Sequence, residues 1–512
     1  MSRLTRISIL LAVFFALDKA AALLRLVILN RQFGFSKEYD AFNVANNIPD
    51  MLFTLISGGA LAVAFIPVLS ETLTRQGRAS AWDLFSRIAN LAFVVTGVLA
   101  LIVAVLAGPL VRSELGIAPG FEEVQQALVV DLMRLNLIAT MIFAISGLVM
   151  AGLQANQSFL FPAMAPLLYN AGLIFGALIL SPGPENTLGP FKLPGFGLGI
   201  HGLVYGTILG AALHLGIQVP GLVKNGFRWV PQLELNSEPV RKVLRLMGPR
   251  VTTMFMVQMT FLVRDNLASR LEQGSVSALT LGYMVVQVPE TLIGTAIGTA
   301  LLPTLSELVA AQEGRAFHAT LQRALRVIVA FTIPVAVVLA LGLRPLLEVA
   351  FRNLTPAEMD TLVWVVRGFL VGLTGECLLE IAARSFYARQ DAITPMLVAA
   401  LSLVVFVGLG WAFFRALGAA GISLAVSIAL TFQSSLLLIL LSRRLVEKLS
   451  PGFTPLRALA AALLGGAGVV LVARAALAAG LPALLIGAVA LAAGGLLALL
   501  PVWQEARLLL KL

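Results

Sequence analysis

Long apolar stretches recur along this chain more often than a water-soluble fold can absorb. A helix that crosses a bilayer needs about 20 predominantly apolar residues. Windows of that kind are read at 7–29, 43–69, 88–111, 126–153, 159–180, 199–221, 247–268, 275–302, 324–343, 360–383, 394–414, 418–441, 455–474 and 480–503. Apolar residues make up 59% of the 512 positions and charged ones only 12%, where soluble domains average about 45–50% and 25%. Too little polar surface exists to wrap a soluble body of this size. The chain is read as an all-α integral membrane protein with fourteen transmembrane helices. Arg3 and Arg6 precede the first window as in a signal peptide. That window runs on through Asp18, Lys19 and Arg25 with no small-residue cleavage site, so it is expected to be retained.

The net charge of +10 follows the loops rather than a nucleic-acid-binding surface. Of 36 basic residues, 21 fall on the side of the N-terminus, nine in the opposite loops and six within or at the ends of helices. Excess Lys and Arg mark cytoplasmic loops, so both termini are expected in the cytoplasm. Cys377 is the one cysteine, and His201, His214 and His318 lack ligand spacing. A disulfide framework and a Cys/His metal site are both excluded.

The sequence also repeats itself. GGALAVAFIPVLSE at 58–71 and GTAIGTALLPTLSE at 294–307 share seven of fourteen residues at an offset of 236, ending in Leu69-Ser70-Glu71 and Leu305-Ser306-Glu307. Ala155, Gln157 and Pro162 recur as Ala388, Gln390 and Pro395 at an offset of 233. Six helices separate the copies, so both halves have the same orientation. Parallel repeats of this kind belong to transporters with a site between two lobes. The expected layout is an N-lobe at 1–221, a cytoplasmic linker at 222–246 and a C-lobe at 247–441, the lobes being six-helix bundles in parallel pseudo-twofold repeat. Two C-terminal helices occupy 442–512.

Ionisable residues at membrane depth are costly and usually face a cavity or a partner. The first helix holds Asp18, Lys19 and Arg25; Lys19 and Arg25 lie roughly 120° apart around it. They either line one broad face or snorkel to an interface. Arg264 sits beside Asp265 in the seventh window, with Arg250 near the other end. Asp131 and Arg134 have the i, i+3 spacing of a helical ion pair. Glu376 and Glu380 stand at i, i+4, where two carboxylates repel unless they share a proton or cation. They are candidate coupling residues, with Asp265, for sodium or a proton. Asp40, Asp50 and Glu290 lie near helix ends, where capping or hydration accounts for them. No Walker motif, GxSxG, HExxH or cysteine pair suggests an enzyme. The glycines of GFGLGIHGL at 195–203 have no strand-turn-helix context.

Several segments resemble the MurJ (MviN) family of lipid II flippases, in the multidrug/oligosaccharidyl-lipid/polysaccharide exporter superfamily. They are Tyr39-Asp40-Ala41-Phe42 with Ile48-Pro49, and Gly59-Ala60 through Ala64-Phe65-Ile66-Pro67. Phe159 to Asn170, Met247-Gly248-Pro249 and Gly274-Ser275-Val276-Ser277 also match. The most specific is Phe386-Tyr387-Ala388-Arg389-Gln390-Asp391 with Thr394-Pro395. The resemblance implies alternating-access movement of undecaprenyl-pyrophosphate-linked peptidoglycan precursor across the bacterial cytoplasmic membrane. It also implies contact with membrane lipids and with cell-wall synthesis proteins, and a lipid-tail groove in the last two helices.

A pyrophosphate headgroup calls for cations, and arginine binds phosphate oxygens with a two-pronged fork. Arg25 is the expected headgroup contact, with Lys19, Arg264 and Asp40 as further substrate-binding candidates. Two positions where the family carries cavity arginines hold Phe53 and Met284 here. Either Arg264, Arg250 or Lys19 stands in for them, or the cargo differs. The alternatives are an exporter of another polyprenyl-linked glycan or amphiphile, and a non-transporting cell-wall scaffold.

Overall fold

The computed structural model describes residues 3–509 apart from 59, 185–186, 189–190, 235–236, 446 and 451. Gly59 and the Arg250 side chain therefore lie outside the described residues. The chain is helical almost throughout. Among the described residues, eight helices are long and apolar enough to cross a membrane, or nine if one bent pair counts as a single span. The protein is a multi-pass membrane protein. The described strands are Thr187–Leu188 and Phe191–Lys192, a short antiparallel ladder in the connection after Leu180.

Two compact units divide at Arg270 and Leu271. In the first, helices Arg3–Phe33, Lys37–Phe53, Ala60–Arg112, Glu123–Ala155, Leu160–Phe175 and Ile200–Gly216 are followed by Glu238–Ala268. That last helix begins inside the stretch expected to be a linker, and it packs on Ala60–Arg112. Residues 70–87, between the windows 43–69 and 88–111, are helical and turn only at Gly77, whose φ of 87° needs glycine. Glycines also let backbones touch. A Cβ on Gly206 would lie 2.7 Å from Cα of Gly176, the small-residue contact that replaces hydrophobic driving force in lipid.

In the second unit, Ser275–Glu290 and Ala296–Ala310 precede Gly314–Gly342. Next come Pro356–Val371, Leu373–Ala388, Ile393–Arg443, Thr454–Ala478 and Ala483–Leu499. The window at 360–383 is not one straight span: it bends by 42° at Gly372. The Ile393–Arg443 helix breaks at Gly418, where φ is 58°.

The repeated sequences carry repeated geometry. A π-helical turn occupies Thr54–Gly58 and another Thr291–Thr295, each leading into the helix with the shared proline, Pro67 or Pro303. Such turns hold one extra residue in the helix and recur at functional positions. The second repeat is also structural: Gln157 and Gln390 both take φ of 58° just after a helix end. A left-handed residue there satisfies terminal carbonyls, and Gln157 N–H bonds to the Gln154 carbonyl at 3.0 Å as Gln390 N–H does to Tyr387 at 2.9 Å.

Candidate functional site

Polar side chains inside the first unit collect around the Arg3–Phe33 helix. Arg25 is half-buried, with its guanidinium carbon 6.0 Å from the Tyr169 ring centre. Tyr39 and Asp50 lie within its electrostatic reach. Its Nε is buried and donates to nothing among the described residues. About two turns earlier, Asp18 accepts from Asn170 Nδ2 at 2.8 Å, which ties the helix to Leu160–Phe175. Lys19 is exposed.

The remaining candidates in this unit are committed to packing. Arg264 Nε donates to Asp265 Oδ1 at 2.8 Å, with side-chain exposures of 7% and 0%. The Asp265 Oδ2 accepts from Asn47 on Lys37–Phe53, and Arg264 also lies 5.2 Å from the Phe261 ring centre. Asp40 is buried in the first turn of Lys37–Phe53, where a carboxylate complements the helix dipole. Asp131 and Arg134 do not pair: Arg134 Nε reaches across to the Ala104 carbonyl at 3.0 Å on the neighbouring helix. Of the two positions without the family's arginine, Phe53 packs at 5.3 Å against Phe143 with the rings tilted by 50°, and Phe143 in turn meets Tyr169 at 5.1 Å and His214 at 5.4 Å. Met284 is exposed. An aromatic cluster adjoining Arg25 thus occupies the neighbourhood where a further cation is expected.

A second polar group lies in the second unit. Glu380 pairs with Arg384 one turn along the same helix, and Arg384 also reaches Thr299 Oγ1 at 3.4 Å. Glu376 Oε1 accepts from the Tyr283 hydroxyl at 3.4 Å. Glu290 is buried and accepts from Thr295 Oγ1 at 2.9 Å. It lies within electrostatic reach of Glu376 and Glu380. Read as a cap in sequence, Glu290 is the third carboxylate of the group; the π turn that follows it supplies Thr291 and Thr295. Among the described residues no three acidic, imidazole or thiol groups converge closely enough to hold a metal ion.

The Phe386–Pro395 motif is a helix junction. Asp391 caps Ile393–Arg443, accepting from Thr394 N at 2.9 Å and Oγ1 at 2.6 Å, and from Arg444 Nη1 at 2.6 Å. Partial burial opposes ionisation, but the bonds from Thr394 and Arg444 prevail and bring its pKa down to about 2.

A network that the sequence did not single out joins Ser146 Oγ to His214 Nδ1 at 2.6 Å and to Gln218 Nε2 at 2.9 Å. The i, i+4 spacing of His214 and Gln218 was its visible signal; the Ser146 partner, on another helix, was not.

A family model described as lipid II flippase MurJ matches residues 29–500. A lipid II flippase MurJ from Burkholderia cenocepacia is 30% identical over 451 residues, 86% of this chain and 84% of that protein. Among solved structures, lipid II flippase MurJ in an inward closed conformation aligns with a TM-score of 0.79 at 20% identity, over 98% of this chain and all of that one. An inward-facing multidrug resistance transporter of the MATE family, in the MOP superfamily, aligns at 0.71 with 13% identity, over 85% and 98%. These likenesses extend the fold to the wider superfamily, while the matched sequence over residues 29–500 is specific: the chain belongs to the MurJ family of lipid II flippases.

Proposed function

We propose that the protein moves lipid II from the inner to the outer leaflet of the bacterial cytoplasmic membrane by alternating access. It is a transporter, not an enzyme. The observation that carries the headgroup site is Arg25: its buried Nε has no acceptor among the described residues, whereas the guanidinium of Arg264 is bound to Asp265. A charged donor held beside the Tyr169 ring and open at Nε suits a pyrophosphate oxygen. Lys19, exposed on the same helix, is a secondary contact. Asp40, fixed in a helix first turn, supports the site from its packed position.

The finer architecture belongs to this proposal. Fourteen spans are arranged as lobes 1–221 and 247–441 joined by 222–246, with 442–512 offering the lipid-tail surface and both termini cytoplasmic. The paired π turns and left-handed glutamines support the repeat, and the basic loops support the orientation. Return of the empty carrier is coupled to a cation at Glu376 and Glu380. A proton suits them better than sodium, since Arg384 already neutralises Glu380 and, among the described residues, Glu376 keeps only a long bond from Tyr283. Asp265 has both oxygens engaged and is the weaker coupling candidate. Cell-wall synthesis proteins that use the flipped precursor are the expected partners.

The test is rescue of a bacterium depleted of its own lipid II flippase. The parent chain restores growth and Arg25→Ala does not. If the parent inserts and accumulates but fails to rescue, the cargo is another polyprenyl-linked glycan or amphiphile. If Arg25→Ala rescues as well as the parent, the headgroup assignment is wrong, and a scaffold role gains ground.

A further inference from the structure

A cavity of about 550 Å³ opens in the second unit, lined by residues of Gly314–Gly342, Leu373–Ala388 and Ile393–Arg443 and by the segment that follows. Its lining is graded. On Gly314–Gly342 it passes from Gln322 to Leu325 and Val329 with distance from the helix start. On Ile393–Arg443 it passes from Leu438 to Arg443 at the helix end, and Leu378 adds another apolar wall. Polar groups thus gather where the helices terminate, and apolar ones lie deeper.

Two features of the polar end are unspent. Arg443 and Lys448 are exposed and have no carboxylate partner among the described residues; nearby Asp391 is taken by Arg444 and Glu447 faces His318. Gln322 Oε1 is buried and receives no hydrogen bond from the described residues, although a buried acceptor left unpaired costs stability. The site offers two cations, a demand for one donor and apolar walls. A phospholipid with an anionic, hydroxyl-bearing headgroup meets all of these. Its phosphate sits between Arg443 and Lys448, an alcohol donates to Gln322, and an acyl chain lies along Leu325, Val329, Leu378 and Leu438.

We infer that this cavity binds a phosphatidylglycerol-type lipid from the basic, cytoplasmic-side leaflet. The inference rests on the proposed orientation but not on the identity of the cargo. A polyprenyl phosphate would supply the phosphate without the alcohol.

The full-length chain, purified and stripped of lipid, is mixed with dioleoyl-phosphatidylglycerol, dioleoyl-phosphatidylethanolamine or undecaprenyl phosphate, and retained lipid is read by native mass spectrometry. One phosphatidylglycerol is retained in preference to the other two. R443Q/K448Q weakens retention about 30-fold, from roughly 1 kcal/mol per basic residue near an anionic lipid and 1.4 kcal/mol per tenfold. Leu438→Trp, which fills the apolar part, removes the lipid with both cations in place. Should that variant fail to fold, the exposed double variant decides the matter. Equal retention of phosphatidylglycerol and phosphatidylethanolamine, or unchanged retention in R443Q/K448Q, overturns the proposal. Displacement by undecaprenyl phosphate at equal concentration also overturns it and gives the cavity to the transported tail. Failure of growth rescue leaves every one of these readouts unaltered, so the two readings fail separately.

Discussion

Replacing Arg264 tests the distinction between an arginine that packs and one that waits for substrate. Asp265 is fully enclosed, and its two oxygens are held by Arg264 Nε and Asn47 Nδ2. Arg264→Ala removes the cation and leaves a buried carboxylate with a neutral amide as its donor from another helix. Breaking a buried pair from one side costs about 3–5 kcal/mol. At about 2–4 °C per kcal/mol for a unit of this size, the melting temperature falls by roughly 6–20 °C. The assay is thermal unfolding of the detergent-solubilised chain, followed by tryptophan fluorescence. The double variant Arg264→Ala/Asp265→Asn also removes the stranded charge, so it recovers most of the loss. The reasoning is refuted if Arg264→Ala melts with the parent, or if the double variant is no more stable than the single one.

Arg25→Ala gives the opposite pattern: melting stays near that of the parent, because Nε gives up no acceptor among the described residues, while growth rescue is lost. A charged hydrogen bond is worth about 1.5–3 kcal/mol, so flipping in vesicles slows roughly 10- to 150-fold, and Arg25→Lys recovers part of it. Glu376→Gln abolishes the dependence of flipping on an imposed proton gradient, measured with a fluorescent lipid II analogue; unchanged dependence removes Glu376 from coupling. Gly206→Val drives a side chain into Gly176 and overpacks the helix pair at a cost of about 1–3 kcal/mol, read as a lower melting temperature. The folded pKa of Asp391, about 2, lies below its unfolded value of roughly 3.9. Its stabilisation is therefore full above the unfolded value and lost as pH falls toward 2. Asp391→Asn accordingly melts below the parent at pH 7, with the gap closing from about pH 4 downward.

That the chain is helical and crosses a membrane several times is legible without coordinates, because lipid asks for one property: apolarity sustained over a long run. Its interruptions are harder to read. Residues 70–87 are polar enough to suggest a loop, yet nothing in them ends a helix, and only Gly77 turns it. The bend at Gly372 is hidden because the flanking residues remain apolar on both sides. The repeat at 58–71 and 294–307 was visible as identity, but the π turns before it depend on backbone hydrogen bonds that no spacing reveals. Gln157 and Gln390 show the reverse case. Their shared left-handed conformation gives a physical reason for a pattern that composition alone leaves unexplained.

The charged residues divide for a different reason. Sequence spacing places a charge on a helix but does not name the neighbour from the next helix. Arg264 has its acid one position away, an arrangement that in a straight helix sets the two side chains on different faces. Asn47, from a separate helix, completes that acid's shell, and the buried pair then leaves Arg264 little freedom for substrate. Arg25 has Asp50 and two phenols within reach, but among the described residues no oxygen satisfies its Nε. The replacement of an expected arginine by Phe53 makes this distinction matter more. Its ring joins Phe143, Tyr169 and His214 in a cluster that meets Arg25 through Tyr169. The Arg25 guanidinium carbon lies 6.0 Å from the Tyr169 ring centre, and among the described residues no carboxylate forms an ion pair with it. If that is the compensation this chain uses, Phe53→Arg supplies a second headgroup cation at the cost of the ring packing. Tighter lipid II binding with a lower melting temperature is the expected result. Unchanged binding by Phe53→Arg would place the missing cation elsewhere in the protein.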